Sequence, residues 1–101
     1  MTTLSTHVLD AELGRPKVGV PVRLERDSAV LAEGLTDDDG RLRFTDTLFP
    51  GVYRLVFEVD ALFYPEIAIT FRVVAEREGG PPHLHLPILL SPFAFTTYRG
   101  S

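Results

Sequence analysis

Apolar and polar residues alternate along most of this chain with a period of two, the pattern of strands with one face against a core. Leu4, Thr6 and Val8 alternate with Ser5, His7 and Leu9, which predicts a first strand. Leu13-Gly14-Arg15-Pro16 reads as a turn. Val18, Val20, Val22 and Leu24 fall on one face of a second strand, with Pro21 interrupting its ladder. Ala29 to Leu35 predicts a third. Asp37-Asp38-Asp39-Gly40 predicts a hairpin turn, because Asp and Gly tolerate the positive φ of a tight reversal. Arg41 to Thr45 leaves that turn as a short strand, and Pro50-Gly51 turns the chain into a strand from Val52 to Val59. Ile67, Ile69, Phe71 and Val73 alternate with Ala68, Thr70, Arg72 and Val74 in the clearest strand of all. Gly79-Gly80-Pro81-Pro82 breaks it, and His83 to Leu90 and Phe93 to Tyr98 close the chain.

No stretch of ten residues carries a 3.6-residue period. The one helical turn expected lies around Asp60 to Phe63. About eight short strands in 101 residues predict an all-β sandwich of two packed antiparallel sheets. Pro87 lacks a ladder donor and so belongs at an edge or a bulge.

Composition narrows the function. A chain of 101 residues is one domain, 1–101, with room for one modest core. The absence of cysteine excludes a disulfide framework, a thiolate metal site and a cysteine nucleophile. Ten Lys+Arg against 14 Asp+Glu leave a net charge of −4 and no basic footprint for nucleic acid. No apolar run is long enough to span a bilayer, and residues 1–13 lack the basic start and apolar stretch of a signal peptide. The expectation is a cytoplasmic protein.

The three histidines, His7, His83 and His85, all fall in predicted strands. His83 and His85 are two apart and share a face. With His7 they could ligate a metal, act as metal-free acids and bases, or simply lie on a solvated strand face. Arg41, at the exit of the Asp-rich turn, either pairs with one of its aspartates or offers a fixed guanidinium to a carbonyl or anionic oxygen. The Asp37-Asp38-Asp39 run lacks the further acidic ligand of a calcium loop and reads as a solvated turn. No phosphate loop, nucleophile elbow or glycosidase carboxylate pair is present, and no serine has a local nucleophile signature. The end of the chain stays aromatic up to Tyr98, whereas ordinary termini fray. Either the end is tied down at a subunit contact or within a site, or it is simply a well-packed final strand.

A set of motifs runs through the chain in order: Leu4-Ser5-Thr6-His7-Val8-Leu9-Asp10, Gly14-Arg15-Pro16, Gly40-Arg41, Gly51-Val52-Tyr53-Arg54-Leu55, Phe63-Tyr64-Pro65-Glu66, His85-Leu86-Pro87-Ile88-Leu89-Leu90-Ser91-Pro92 and Tyr98-Arg99-Gly100-Ser101. Together they resemble the 5-hydroxyisourate hydrolases, the transthyretin-like enzymes of urate breakdown. The Tyr-Arg-Gly-Ser end is the most specific element, because it separates the enzymes from transthyretin itself. The resemblance implies a transthyretin-like (prealbumin-like) sandwich of two four-stranded sheets. It implies a homotetramer, a dimer of dimers, with active sites in the channel where dimers meet. It implies hydrolysis of 5-hydroxyisourate to 2-oxo-4-hydroxy-4-carboxy-5-ureidoimidazoline with no metal and no cofactor. His7, Arg41 and His85 match the family's catalytic residues, and Tyr98 and Ser101 its terminal tetrapeptide, which with His7 and Arg41 helps bind substrate.

Two departures accompany the resemblance. Only Val59-Asp60-Ala61-Leu62 lies where the family has a short helix, so that helix looks deleted. Leu84 replaces the tyrosine of the family's His-Tyr-His and should face away from both histidines, and His83 stays outside the catalytic set. The competing expectation is a prealbumin-like binding module for a small hydrophobic ligand or a partner protein, since fold alone does not decide function.

Overall fold

The computed structural model describes residues 1–100. Two sheets enclose one core. In the first, β1 (Thr2–Asp10) is central. One of its edges is shared by β5 (Arg41–Leu48), along Thr2 to His7, and by the two-residue β2 (Arg15–Pro16), along Leu9 and Asp10. Its other edge carries β8 (His83–Leu90), followed by β9 (Phe95–Thr97). The second sheet runs β4 (Ala29–Leu35), β3 (Pro21–Arg26), β6 (Gly51–Phe57), β7 (Ile67–Val73).

This is the all-β, two-sheet sandwich that the alternation predicts, with one pairing of a different kind. β1 and β8 run parallel, Thr3 opposite His83 through Asp10 opposite Leu90. Parallel neighbours need a long crossover, and here the chain completes the whole second sheet between them.

The alternation sets the faces. Leu4, Val8, Leu84, Leu86 and Ile88 of the first sheet meet Val22, Leu24, Leu55 and Phe57 of the second, all buried. Each such side chain contributes about 1.5–3 kcal/mol by leaving water. Thr6 shares the inner face of β1 and stays satisfied by donating to the Leu86 carbonyl at 2.7 Å. Thr3, Ser5, His7, His83 and His85 are left on the outer face.

Three local expectations give way. Val18 is exposed and β3 begins only at Pro21. Buried Thr36 accepts from Val20 N–H at 2.9 Å and donates to the Lys17 carbonyl at 2.8 Å, so this stretch is pinned as a loop. No helical turn forms at Asp60–Phe63. The Ala61 N–H instead donates to the Tyr64 carbonyl at 3.0 Å, and a turn without a helix joins β6 to β7. The helical turn among the described residues is a 3₁₀ segment at Glu76–Glu78.

Pro87, expected at an edge or bulge, lies inside β8, between β1 and β9. Its missing donor faces a gap in the ladder. β9 pairs Thr97 with Ile88, then parts from β8, and touches it again at Gly100, whose N–H donates to the His85 carbonyl at 2.7 Å. Within the gap the Thr97 hydroxyl donates to the Pro87 carbonyl at 2.9 Å. Of the aromatic end, Phe95 packs on the core as part of a final strand, edge-on to Tyr64 at 5.2 Å, while Phe93 and Tyr98 stay exposed.

Candidate active site

The outer face of the first sheet brings His7, Arg41 and His85 together from three strands. His7 on β1 is the cross-strand partner of Arg41 on β5, and Ser5, two residues earlier, is the partner of His85 on β8. His7 therefore lies directly opposite Arg41 and diagonal to His85, a separation long side chains can span, while Arg41 and His85 face each other across β1 from its two edges.

Arg41 is placed by the Asp-rich turn. The Asp37 carboxylate accepts from the backbone N–H of Asp39 and of Arg41, both at 2.9 Å, and the Asp37 N–H donates to the Arg41 carbonyl at 2.8 Å. Gly40 has φ 73° and would, with a Cβ, come within 2.5 Å of the Val8 carbonyl oxygen. The turn is thus seated tightly on β1, beside His7. Of the two readings for Arg41, the ion pair with the turn's aspartates is not formed among the described residues. Asp37 spends its carboxylate on backbone, and the Arg41 guanidinium makes no ion pair among the described residues.

The same turn orients His7. Its Nε2 lies 2.8 Å from the Asp39 carbonyl oxygen. A carbonyl only accepts, so Nε2 carries the proton and neutral His7 presents Nδ1 as a base.

His85 is held differently. Its Nδ1 lies 2.8 Å from the Ser5 hydroxyl, and its Nε2 has no protein partner among the described residues. Burial, then the positive charge of Arg41, then His7 and His83, hold its pKa below that of a free imidazole. It is therefore neutral at pH 7, in the form that can accept a proton. Gly100 of the terminal segment lies against this ring, where a Cβ would meet the ring Cδ2 at 2.7 Å. The terminal segment can pass so close to the imidazole because residue 100 has no side chain.

Tyr98 is exposed and, with Arg99 and His85, lines an apolar groove of about 260 Å³ walled by Ile69 and Phe71 of β7. Ser101, the other terminal residue expected in the site, lies outside the described residues. Leu84 points into the core, as its parity predicts.

Sequence reasoning missed Ser5 and undervalued His83. Ser5 Oγ also lies 2.7 Å from His83 Nε2, and His83 Nδ1 lies 2.6 Å from the Thr3 hydroxyl. Ser5 lies within the Leu4–Asp10 motif, but nothing in that stretch assigns its hydroxyl a partner. The signal was its parity with His7, legible only once β8 is known to run parallel to β1. Among the described residues no three His, Asp or Glu side chains are grouped to hold a metal ion.

Comparison with known proteins places this geometry. Residues 4–100 match the model of the HIUase/Transthyretin family. A 5-hydroxyisourate hydrolase of Caulobacter vibrioides is 37% identical over the whole of both chains. The chain also matches the Arabidopsis thaliana uric acid degradation bifunctional protein at 36% identity, spanning 37% of that longer protein. Among solved structures, the 5-hydroxyisourate hydrolase of Klebsiella pneumoniae superposes with a TM-score of 0.88 at 35% identity, all of each chain covered. Sea bream transthyretin, solved with thyroxine, superposes at 0.85 with 26% identity, covering 96% of this chain and 93% of its own. A family match over nearly the full length, on a sandwich that superposes on the family's solved members, establishes that this chain belongs to the HIUase/transthyretin family.

Proposed function

We propose that this protein is a 5-hydroxyisourate hydrolase, opening the cyclic amide of its substrate with water to give 2-oxo-4-hydroxy-4-carboxy-5-ureidoimidazoline. The observation that carries the reading is the convergence of His7, Arg41 and His85 on one sheet face, with the terminal segment packed against His85. Hydrolases named for this reaction are 36–37% identical over nearly all of the chain. Sea bream transthyretin, solved with thyroxine, shares the fold, so what favours the hydrolase reading over a binding module is the guanidinium and two imidazoles on that face and not the fold.

The chemistry needs a base for water, a donor for the developing oxyanion and a proton for the departing nitrogen. Nδ1 of His7 and Nε2 of His85, without a partner among the described residues, serve the proton transfers and hold the ring's polar edge. Arg41 stabilises the oxyanion, and its planar fork suits a flat, polar heterocycle. The water oxygen bonds to the carbonyl carbon, the C–N bond breaks, and the proton taken from water ends on the freed nitrogen. No residue forms a covalent intermediate. Tyr98 and Ser101 complete the substrate contacts from the terminal segment.

One subunit leaves this face open on the solvent side. A homotetramer, a dimer of dimers with facing sheets, would enclose the substrate, and the cytoplasm is the proposed compartment. The test of function is the ultraviolet decay of freshly generated 5-hydroxyisourate. The protein at catalytic concentration should accelerate decay far above the spontaneous rate, and a rate equal to the spontaneous one would reject the reading. Light scattering should return four times 11.2 kDa, and a monomer would reject the tetramer.

A further inference from the structure

We propose that Thr3, His83, Ser5 and His85 form a proton wire along the outer face, in which His85 passes on the proton it takes from water and the positive charge comes to rest on His83. This rests on the reading that His85 acts on 5-hydroxyisourate; the wire adds residues that the catalytic set leaves out.

The contacts run in series. Thr3 Oγ1 to His83 Nδ1 is 2.6 Å, His83 Nε2 to Ser5 Oγ 2.7 Å, and Ser5 Oγ to His85 Nδ1 2.8 Å. The parallel register builds this ladder, Thr3 opposite His83 and Ser5 opposite His85. Both nitrogens of His83 are engaged by hydroxyls, so His83 exchanges protons with His85 through Ser5. Ser5 carries a single proton. When it donates to His83, it accepts from His85 Nδ1–H, and His85 Nε2 is left bare as a base. When it donates to His85, it accepts from His83 Nε2–H, and His85 Nε2 carries a proton outward as an acid. The wire links the two directions to the two halves of the reaction.

The steps balance. Nε2 of His85 takes a proton from the attacking water as its oxygen bonds to carbon. Nδ1–H of His85 passes to Ser5 Oγ, and the original Ser5 proton passes to Nε2 of His83. His85 is then neutral and His83 is an imidazolium whose Nδ1–H rests on Thr3. In the second half Nε2–H of His85 goes to the departing nitrogen, and Ser5 and His83 return their protons along the same line.

Electrostatics favours the transfer. The positive or titratable groups about His85 are Arg41 and Arg43 from β5, His7 from β1, His83 from its own strand and Arg99 from the terminal segment. An imidazolium at His85 is repelled by Arg41. Arg41 sits in the row of His7, His85 in the row of Ser5 and His83 in the row of Thr3, so the transfer carries the charge two residues, about 7 Å by strand rise, further along β1 from the Arg41 row. Moving the charge to His83 separates it from the guanidinium that must serve the oxyanion.

Ser5 and His83 are positioning residues on this account, and their test needs more than lost activity. Ser5→Ala should lower kcat about 10- to 100-fold, part of what placed proton transfer contributes, with KM within about threefold. Turnover in mixtures of H2O and D2O should change from a bowed dependence, with several protons in flight, to a linear one. Ser5→Thr should restore both. His83→Gln should behave like Ser5→Ala, because an amide can bond Ser5 but cannot hold a proton. Nitrogen-15 imidazole spectra of the wild type should show His83 and His85 in matching tautomers, both Nδ1–H or both Nε2–H. A kcat for Ser5→Ala or His83→Gln within about twofold of wild type would overturn the wire while leaving the hydrolase reading intact. So would spectra in which His83 Nε2–H and His85 Nδ1–H both point at Ser5. If the wild type fails to accelerate substrate decay, the hydrolase reading falls instead, and the tautomers, which need no turnover, still decide the wire.

Discussion

At the scale of the residue, each histidine's chemistry follows from which of its nitrogens is already engaged. His7 spends Nε2 on the Asp39 carbonyl, and His85 spends Nδ1 on Ser5. The pH dependence follows from the second. Burial first, then Arg41, lowers the pKa of His85, and only neutral His85 accepts a proton. Activity is therefore present above the lowered pKa and lost as pH falls through it. The acid limb of kcat/KM should lie below the pH of about 6.5 at which a free imidazole titrates. Arg41→Met removes a repulsive charge and should move that limb upward, besides lowering kcat/KM by about 10²–10³-fold through the lost oxyanion partner. A pH–rate profile of the two proteins checks both. Stability follows the same sign. Below pH 6.5 the unfolded chain binds a proton that folded His85 refuses, so this group's contribution falls as pH falls. His7, Arg41 and His85 were legible in the sequence because motifs carry them. The contact of Ser5 with His83 was not, because it joins residues 78 apart across a parallel pair.

At the scale of the element, turns and ladder gaps position the site. The terminal segment meets β8 at Gly100, where a side chain would strike the His85 ring. Gly100→Val should displace either that segment or the imidazole and lower kcat/KM at least about tenfold, while the thermal midpoint shifts by no more than a few degrees. Turnover and a melting curve measured on one sample test this together. Thr36 plays a purely structural part. Thr36→Val leaves the Val20 N–H and the Lys17 carbonyl without their partner, and urea unfolding should show a loss of about 2–4 kcal/mol. The strands at Ala29–Leu35 and His83–Leu90 match their sequence reading end to end. The second strand does not, because Val18 keeps the right parity while Thr36 holds the chain off the sheet. Apolar alternation cannot register a side-chain hydrogen bond from a distant loop.

At the scale of the molecule, the sandwich turns a linear alternation into one polar face that collects groups from β1, β5 and β8. The inner face was readable from period two alone. The outer face needed pairing partners, and partners between strands some 80 residues apart leave no periodic trace. In the proposed tetramer this face would be half of a site, its open side covered by a facing sheet that excludes water from the reacting ring. The central claim is that His7, Arg41 and His85 perform one hydrolysis from this shared face. The most direct test is kcat/KM for 5-hydroxyisourate, corrected for spontaneous decay, in His7→Ala, Arg41→Ala and His85→Ala beside the wild type. Each variant should lose at least about a hundredfold. Wild-type turnover retained in both histidine variants would contradict the claim.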